Sequence, residues 1–400
     1  MTLLLADELF DAQAIRALAY TTSGGAELGE CIDTTSRITK TDATLWYDEW
    51  LATAHRVRAV GDGAASAGNA VSARGAYFRA STYYRTAGLM LMGAPLDDRL
   101  VTSHAASVET FCAGAALLDL PPDVLELPFG ETTLPAYFYR ASPDDGPRPT
   151  VILVDGYDGT AEELYFANGA AALARGYNVL AFDGPGQGSM IIDRGIPFRP
   201  DWETVIVPVV DYALSRPEVD PARIAVLGWS FGGYLAPRAV TGEHRIAACI
   251  SDSGPYDLYA NISSRLPDML ERQVPDGNRL ALTVLDRALE ARMKKVSGGW
   301  ALRRCVWVHG VHDPLEYFEV ARDYSLNGLE HLIECPLFIC RTDGDDISEA
   351  QADFAAAVTV PHEYVVFSAD EGVTGHCEMT GRALFHQRAF DWLEGVFADL

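Results

Sequence analysis

The pattern of apolar positions divides the chain at about residue 124. Before that point, apolar and aromatic residues recur near helical spacing, as at Leu45–Trp46, Trp50–Leu51 and Ala54, without the alternation typical of strands. A glycine-rich stretch at 61–68 marks the expected break between two of these helices. The pattern therefore predicts a helical N-terminal domain over residues 1–123.

After this point, short apolar runs alternate with helical segments. The runs at 124–129 and 134–139 flank a Gly-Glu turn and predict a hairpin. Six further apolar runs predict strands at 150–154, 178–182, 224–227, 246–250, 336–340 and 364–367. Because most of these runs are continuously apolar and are joined by helices, they predict a mostly parallel sheet with helices on both faces.

The predicted α/β core is interrupted. Its first part covers residues 124–258 and its second part covers 335–400, while the intervening segment 259–334 is predominantly helical in pattern. Within that insertion we expect helices over 278–296 and 315–326. An insertion between late strands would cover the carboxyl ends of the sheet, where folds of this kind bind ligands. The pattern therefore predicts a helical cap over the site.

The segment Gly228-Trp229-Ser230-Phe231-Gly232 lies between a predicted buried strand and a predicted helix. A strand, a tight turn and a helix around Gly-x-Ser-x-Gly are typical of a nucleophile elbow. The two glycines remove side chains where the backbone is crowded, so that the serine can occupy a strained corner. We therefore predict that Ser230 is a nucleophile, although a small-residue turn that packs a helix on a sheet is the structural alternative.

A nucleophilic serine needs a base, and the base needs an acid to orient it. In a fold with this elbow the chain order is serine, acid, histidine, which predicts His376 as the base because it follows the last strand. Asp345 precedes His376 by 31 residues and is the predicted acid. Asp346 and Asp343 on the same loop are alternatives, as is Asp313, which lies in a more familiar-looking His-Gly-x-x-Asp segment but 63 residues before His376.

Acyl transfer also requires backbone donors for the oxyanion. The N–H of Phe231 follows the nucleophile, and the N–H of Tyr157 follows the first long parallel strand, so we predict that these two groups form the oxyanion hole, with Asp158 as an alternative to Tyr157. The residues predicted to face the substrate are Trp229, Tyr256, Asp257, His309 and His312.

Charge and cysteine usage restrict the partners. The formal net charge of −25 argues against nucleic acid or an anionic membrane surface, and the chain has no apolar run long enough to span a membrane. The first residues lack the basic segment of a secretory signal. Seven scattered cysteines without a Cys-x-x-Cys pair indicate reduced thiols in a cytoplasmic protein. We expect no metal or organic cofactor.

These motifs resemble those of the α/β-hydrolase superfamily. Segments 156–163, 183–188, 228–234 and 376–393 are similar to a subfamily that includes 2,6-dihydroxypseudooxynicotine hydrolase, fungal polyketide-shortening hydrolases and FrsA-like esterases. The resemblance implies an α/β-hydrolase fold in which Ser230, Asp345 and His376 form the catalytic triad. It also implies a homodimer.

The resemblance leaves the reaction open, because members of this group cleave a carbon–carbon bond next to a ketone while others are esterases. The first expectation is a serine-dependent hydrolase of a small ketone or β-diketone from aromatic or polyketide metabolism. An esterase, thioesterase or amidase with the same triad is the main alternative. A lyase, cyclase or acyltransferase of secondary metabolism is a third hypothesis, and a non-catalytic binding module is the last.

Overall fold

Five α-helices precede the sheet among the described residues. They are α1 (Glu8–Ala19), α2 (Leu28–Ser36), α3 (Ala43–Ser66), α4 (Ala70–Gly88) and α5 (Asp98–Ala115). Trp46, Trp50 and Tyr83 form a buried aromatic row between α3 and α4, with successive ring centroids 5.6 Å apart. The break predicted at 61–68 lies at 67–69 instead. Helix α3 continues through Gly61 because that glycine lets Tyr77 of α4 pack directly on the backbone.

An eight-stranded sheet forms the centre of the computed structural model, which describes residues 2–144, 146–266 and 279–400. The strand order is β1-β2-β4-β3-β5-β6-β7-β8; β1–β2 and β2–β4 pair antiparallel and the other neighbours are parallel. The strands are β1 (Asp123–Phe129), β2 (Thr132–Tyr139), β3 (Arg148–Val154), β4 (Asn178–Phe182), β5 (Val219–Trp229), β6 (Ala248–Asp252), β7 (Leu337–Thr342) and β8 (His362–Phe367). The predicted hairpin and parallel sheet are confirmed.

Helices connect the strands, as the alternating pattern predicts. After β3 come α6 (Ala161–Leu164), a π-helical turn (Tyr165–Gly169) and α7 (Ala170–Leu173). The other connecting helices of the first core part are α8 (Gly188–Ile192), α9 (Trp202–Ser215) and α10 (Gly232–Ala239). Within the described residues, no helix combines the length and apolar character needed to cross a membrane.

Four described helices lie between β6 and β7. They are α11 (Leu258–Ser263), α12 (Arg279–Met293), α13 (Val296–Val308) and α14 (Pro314–Val320). The helix predicted over 278–296 ends at Met293, and residue 278 lies outside the described residues. Helix α13 was not predicted as a separate element. The helix predicted over 315–326 ends earlier, after the 3₁₀ turn Ala321–Asp323, because Leu258 N–H bonds to Tyr324 O and Leu326 N–H bonds to Tyr256 O.

The chain closes with α15 (Gln351–Ala357), β8 and α16 (Arg382–Ala398). Ser230 follows β5, Asp345 follows β7 and His376 follows β8, so all three come after the carboxyl ends of parallel strands. Such ends meet at one edge of a parallel sheet, which brings the three residues to the same side of the molecule.

Candidate active site

Ser230 occupies the sharp turn between β5 and α10. Its φ of 61° lies in the left-handed region, which is rare for a residue with a side chain and is typical of strained functional turns. The turn depends on its first glycine, because a Cβ at Gly228 would lie 1.8 Å from the carbonyl oxygen of Gly232. The backbone N–H of Ser230 donates to Asp252 O at 3.0 Å, which anchors the turn to the end of β6.

His376 lies between Ser230 and Asp345. Its Nε2 is 2.8 Å from Ser230 Oγ, and its Nδ1 is 2.8 Å from Asp345 Oδ2. A neutral imidazole that donates from Nδ1 to the carboxylate leaves Nε2 free to accept the serine proton. Asp345 is itself held by the hydroxyl of Ser348, 2.5 Å from Oδ2, and by the N–H of Ile347, 3.2 Å from Oδ1.

His376 and Asp345 alter each other's pKa. Burial by itself would lower the pKa of His376, but the carboxylate of Asp345 and its hydrogen bond raise it, and the net pKa lies above the ordinary histidine value. Burial would raise the pKa of Asp345, but the charge and hydrogen bond of His376 lower it, and the net pKa lies below the ordinary aspartate value. The histidine is therefore a stronger base than an isolated imidazole.

The alternative acids lie elsewhere. Asp346 is exposed, and its backbone carbonyl accepts from Asn261 at 2.9 Å. The side chain of Asp343 is 69% exposed and lies 3.6 Å from Arg341. Asp313 caps α14 by accepting from the N–H groups of residues 315 and 316. The apolar segment Val306–Val308 before Asp313 resembles a strand in its composition but is the last turn of α13.

The backbone beside Ser230 has the geometry of an anion site. Among the described residues, neither Tyr157 N–H nor Phe231 N–H has an acceptor. Gly156 lies directly against this corner, since a Cβ on it would meet Ser230 Oγ at 3.0 Å and Phe231 N at 3.0 Å. Two free backbone donors next to a serine hydroxyl can stabilise developing negative charge.

An aromatic cluster borders these donors. The rings of Tyr157 and Phe231 are stacked, with centroids 4.3 Å apart and an interplanar angle of 13°. His309, at the end of α13, places its ring against both, and its Nε2 is 2.9 Å from Tyr157 Oη. Burial lowers the pKa of His309 to about 3, so the imidazole is neutral. The insertion therefore contributes a polar but uncharged group to the cluster.

Asp158 joins the core to both other parts of the chain. Its carboxylate accepts from Arg16 of α1 at 2.7 Å and from Arg304 of α13, and its carbonyl accepts from Arg85 of α4 at 2.7 Å. Burial would raise the pKa of Asp158, but the charges of Arg304, Arg16 and Arg85 hold it well below its usual range. The loop that carries Tyr157 is thereby tied to the N-terminal helices and to the insertion.

Sequence reasoning missed these three arginines. One feature of the sequence could have indicated them: all three lie in predicted helical segments of a chain with 31 basic and 56 acidic residues. In such a chain, an arginine that is buried indicates a specific carboxylate partner. Their common partner could not be read from the sequence, because Arg16 and Arg304 lie 142 and 146 residues from Asp158.

The other residues predicted to face the substrate have different surroundings. Trp229 is buried, with the guanidinium carbon of Arg16 4.9 Å from its ring centroid. Tyr256 stacks on Phe354, and its hydroxyl donates to Glu330. The remaining two are Asp257, which caps α11 and accepts from Ser325 at 2.7 Å, and His312, which is exposed. Among the described residues, no hydrogen bond or ring contact links Tyr256, Asp257 or His312 to the Tyr157–Phe231 pair.

The Asp183–Gly188 turn resembles a phosphate-binding loop, but its polar side chains are hydrogen-bonded to other groups of the protein. The carboxylate of Asp183 accepts from the N–H groups of Ala161 and Ser189, and Gln187 Nε2 donates to Asp155 O. Its polar groups thus bind neighbouring loops of the core. The turn supports the position of the Asp155–Asp158 loop.

One group of side chains among the described residues has the spacing of a cation site. Single ligand atoms of Asp252, Cys340 and Glu378 lie within 4.8 Å of one another, and all three residues are buried. The guanidinium of Arg382 already contacts both carboxyl groups, at 2.8 Å from Asp252 Oδ2 and 3.5 Å from Glu378 Oε2. The guanidinium of Arg382 therefore supplies a positive charge to this cluster.

Comparison with known proteins agrees with this architecture. A model of the alpha/beta hydrolase family matches residues 151–383. Hydrolase acrC from Aspergillus aculeatus is 34% identical, with 98% of this chain and 97% of the relative covered, and 20-hydroxy-prefusarin hydrolase FUS2 from Gibberella moniliformis is 34% identical with the same coverage. The crystal structure of 2,6-dihydroxy-pseudo-oxynicotine hydrolase superposes with a TM-score of 0.76 at 22% identity and covers 95% of each chain. The chain belongs to the α/β-hydrolase family and is a hydrolase.

Proposed function

We propose that the protein is a serine-dependent hydrolase that cleaves a carbon–carbon bond next to a carbonyl group in a β-diketone or aryl ketone. The observation that carries serine dependence is the unbroken row from Ser230 Oγ through His376 to Asp345, with both contacts at 2.8 Å. The choice of a carbon–carbon bond rests on the resemblance to the polyketide-shortening and pseudooxynicotine subfamily. The name 20-hydroxy-prefusarin hydrolase of a relative 34% identical to this chain supports a small organic substrate.

The proposed reaction begins with proton transfer from Ser230 Oγ to His376 Nε2. The serine oxygen bonds to the substrate carbonyl carbon, and the N–H groups of Tyr157 and Phe231 bind the resulting oxyanion. When the substrate is a β-diketone, collapse of this intermediate breaks the bond to the carbon between the two carbonyl groups, whose electron pair becomes the enolate of the second carbonyl. The imidazolium of His376 returns its proton to that enolate, and the ketone leaves.

Water completes the proposed cycle. His376, neutral again, takes a proton from a water molecule, which attacks the acyl group on Ser230. The ester bond breaks, the serine regains its proton from His376, and a carboxylic acid is released. Asp345 keeps the imidazole in the tautomer that both halves require and stabilises its charged form.

The identity of the cleaved bond can be tested with matched substrates. A fluorophosphonate probe should label Ser230 in the folded protein, as located by peptide mapping. A panel of aryl and alkyl β-diketones should be hydrolysed to a ketone and an acid, beside nitrophenyl esters of the same acyl groups. Hydrolysis of the esters alone would contradict carbon–carbon cleavage and favour an esterase, while absence of labelling would contradict the serine mechanism.

The proposed base predicts a pH profile. Only neutral His376 accepts the serine proton, and its pKa lies above the ordinary value of 6.5, so kcat/KM should fall as the pH is lowered, with a midpoint above that value. The rate of fluorophosphonate labelling should follow the same profile because it uses the same base. A common midpoint below 6.5 would contradict the proposed pairing of His376 with Asp345.

The proposed oxyanion hole predicts a sensitive glycine. The methyl group of Gly156→Ala would lie 2.8 Å from Ser230 Cβ and 3.0 Å from Phe231 N, so it should displace the substrate carbonyl from its donors. We expect kcat to fall by about 10²- to 10³-fold, the usual cost of losing an oxyanion donor. Gly395→Ala is the control, because a Cβ there meets nothing within 4 Å. Equal kcat values for the two variants would contradict the assignment.

A further inference from the structure

Glu378, two residues after His376, and Asp252 form a buried carboxyl pair. Both residues are 0% exposed. Arg382, 7% exposed, is the guanidinium that contacts both, through the same Nη1 atom. Two negative charges and one positive charge at this depth would leave an unpaired buried charge, which is strongly unfavourable. One bound proton makes the three groups neutral together.

The contacts indicate which carboxyl group carries that proton. Arg382 Nη1 is 2.8 Å from Asp252 Oδ2 but 3.5 Å from Glu378 Oε2, so the ion pair is with Asp252. Burial raises the pKa of Glu378 well above the usual value, and the neighbouring charge of Asp252 and a hydrogen bond to it raise it further. Glu378 is thus the neutral member of the pair.

The neutral carboxyl group of Glu378 connects the loops that carry Ser230, Asp345 and His376. Its Oε1 accepts from Ser253 Oγ and from Thr342 Oγ1, each at 3.1 Å, and its backbone N–H donates to Thr342 Oγ1. Thr342 ends β7 just before the Asp345 loop, and its carbonyl accepts from Asp345 N–H at 3.2 Å. Ser253 follows Asp252, whose carbonyl holds the N–H of Ser230.

The His376 loop needs such support because its backbone is strained. Cys377 and Glu378 have φ values of 56° and 50°, two consecutive non-glycine residues in the left-handed region. Each such residue is strained and persists only where surrounding contacts fix it. Arg382 adds a bond to Cys377 O at 3.0 Å, so the strained pair is held from both sides by this buried cluster.

We propose that Glu378 is a positioning residue that holds His376 in register with Ser230 and Asp345, and that it does so as a neutral carboxylic acid. This role rests on the proposed serine mechanism. A carboxylic acid both donates and accepts hydrogen bonds, whereas a carboxylate only accepts and would repel Asp252. The neutral form is therefore the one that can bridge Asp252 to Ser253 and Thr342.

The proposal is tested by comparing Glu378→Gln with Glu378→Leu. Glutamine is neutral, has nearly the same shape and can make the same bonds, so its kcat should remain within about threefold of the wild-type value. Leucine fills the space without those bonds, and kcat should fall by about 10- to 100-fold with little change in KM, as expected for a small displacement of a catalytic group. Glu394→Gln, at an exposed site on α16, is the matched control.

Infrared spectroscopy tests the protonation state without reference to catalysis. The difference spectrum of wild type minus Glu378→Gln at pH 7 should contain the C=O band of a protonated carboxyl group. A carboxylate band in its place would overturn the proposal, as would a glutamine variant that fails to fold or is as impaired as the leucine variant. Full activity of Glu378→Leu would also overturn it. Failure of the serine mechanism would be seen separately, as absence of probe labelling in the wild-type protein.

Discussion

Replacing Ser230 with alanine is expected to lower kcat by about 10⁴-fold or more, because the proposed covalent route then has no nucleophile. The fold should be retained. Alanine keeps a Cβ at the same left-handed position, so the variant neither relieves nor adds backbone strain. The measurement is single-turnover hydrolysis of the diketone or ester that the substrate panel identifies, together with thermal unfolding.

Ser264→Ala provides the control for this variant. Ser264 is exposed, and among the described residues its hydroxyl bonds only to the carbonyl of Asn261 within its own helical turn. Both variants should unfold at the wild-type temperature within a few degrees, and only Ser230→Ala should lose fluorophosphonate labelling. If Ser230→Ala retained more than about one tenth of the wild-type kcat, a direct attack by water would be the better account of the reaction.

Asp345→Asn is expected to have the second-largest effect. An amide in place of the carboxylate can present an N–H to His376 Nδ1, which favours the tautomer that carries its proton on Nε2 and cannot accept one from Ser230. The corresponding change in serine proteases lowers kcat by about 10⁴-fold, and we expect a loss of similar size here. Binding should change less, so the effect should be on kcat more than on KM.

Two aspartates serve as controls for the acid. Asp313→Asn should retain nearly full activity, because asparagine caps the N-terminus of α14 as well as aspartate does. Asp346→Asn should do the same, because that side chain is exposed. Loss of activity in Asp313→Asn with activity kept in Asp345→Asn would overturn the assignment. It would also contradict the row of contacts through His376.

Much of the core could be predicted from local pattern. Continuous apolar runs such as 151–154 and 224–227 become central strands because a parallel sheet buries both of its faces. The chain order then predicts which loops meet at one edge. For this reason Ser230, Asp345 and His376, predicted from their order and spacing, do come within hydrogen-bonding distance in the structure.

The insertion was harder to predict. Helix α13 includes Val306–Val308, a β-branched and aromatic triplet that by composition favours a strand, and its helical state depends on packing of residues such as Trp300 and Val308. The substrate-facing residues proposed from sequence position illustrate the same limit. His309 reaches the Tyr157–Phe231 pair, whereas Asp257, just before the insertion, forms a β-bridge with Ser325 within it.

By itself the sequence determined the α/β core, the strained turn at Ser230 and the order of the residues that meet there, because all three depend on local periodicity, glycine placement and strand succession. Only the tertiary structure decided the ion pairs of Asp158 with Arg16 and Arg304, and the Asp252–Glu378–Arg382 cluster. The residues that contact one another in these clusters are up to 146 residues apart. Their charge states depend on burial and on neighbours that no local pattern contains.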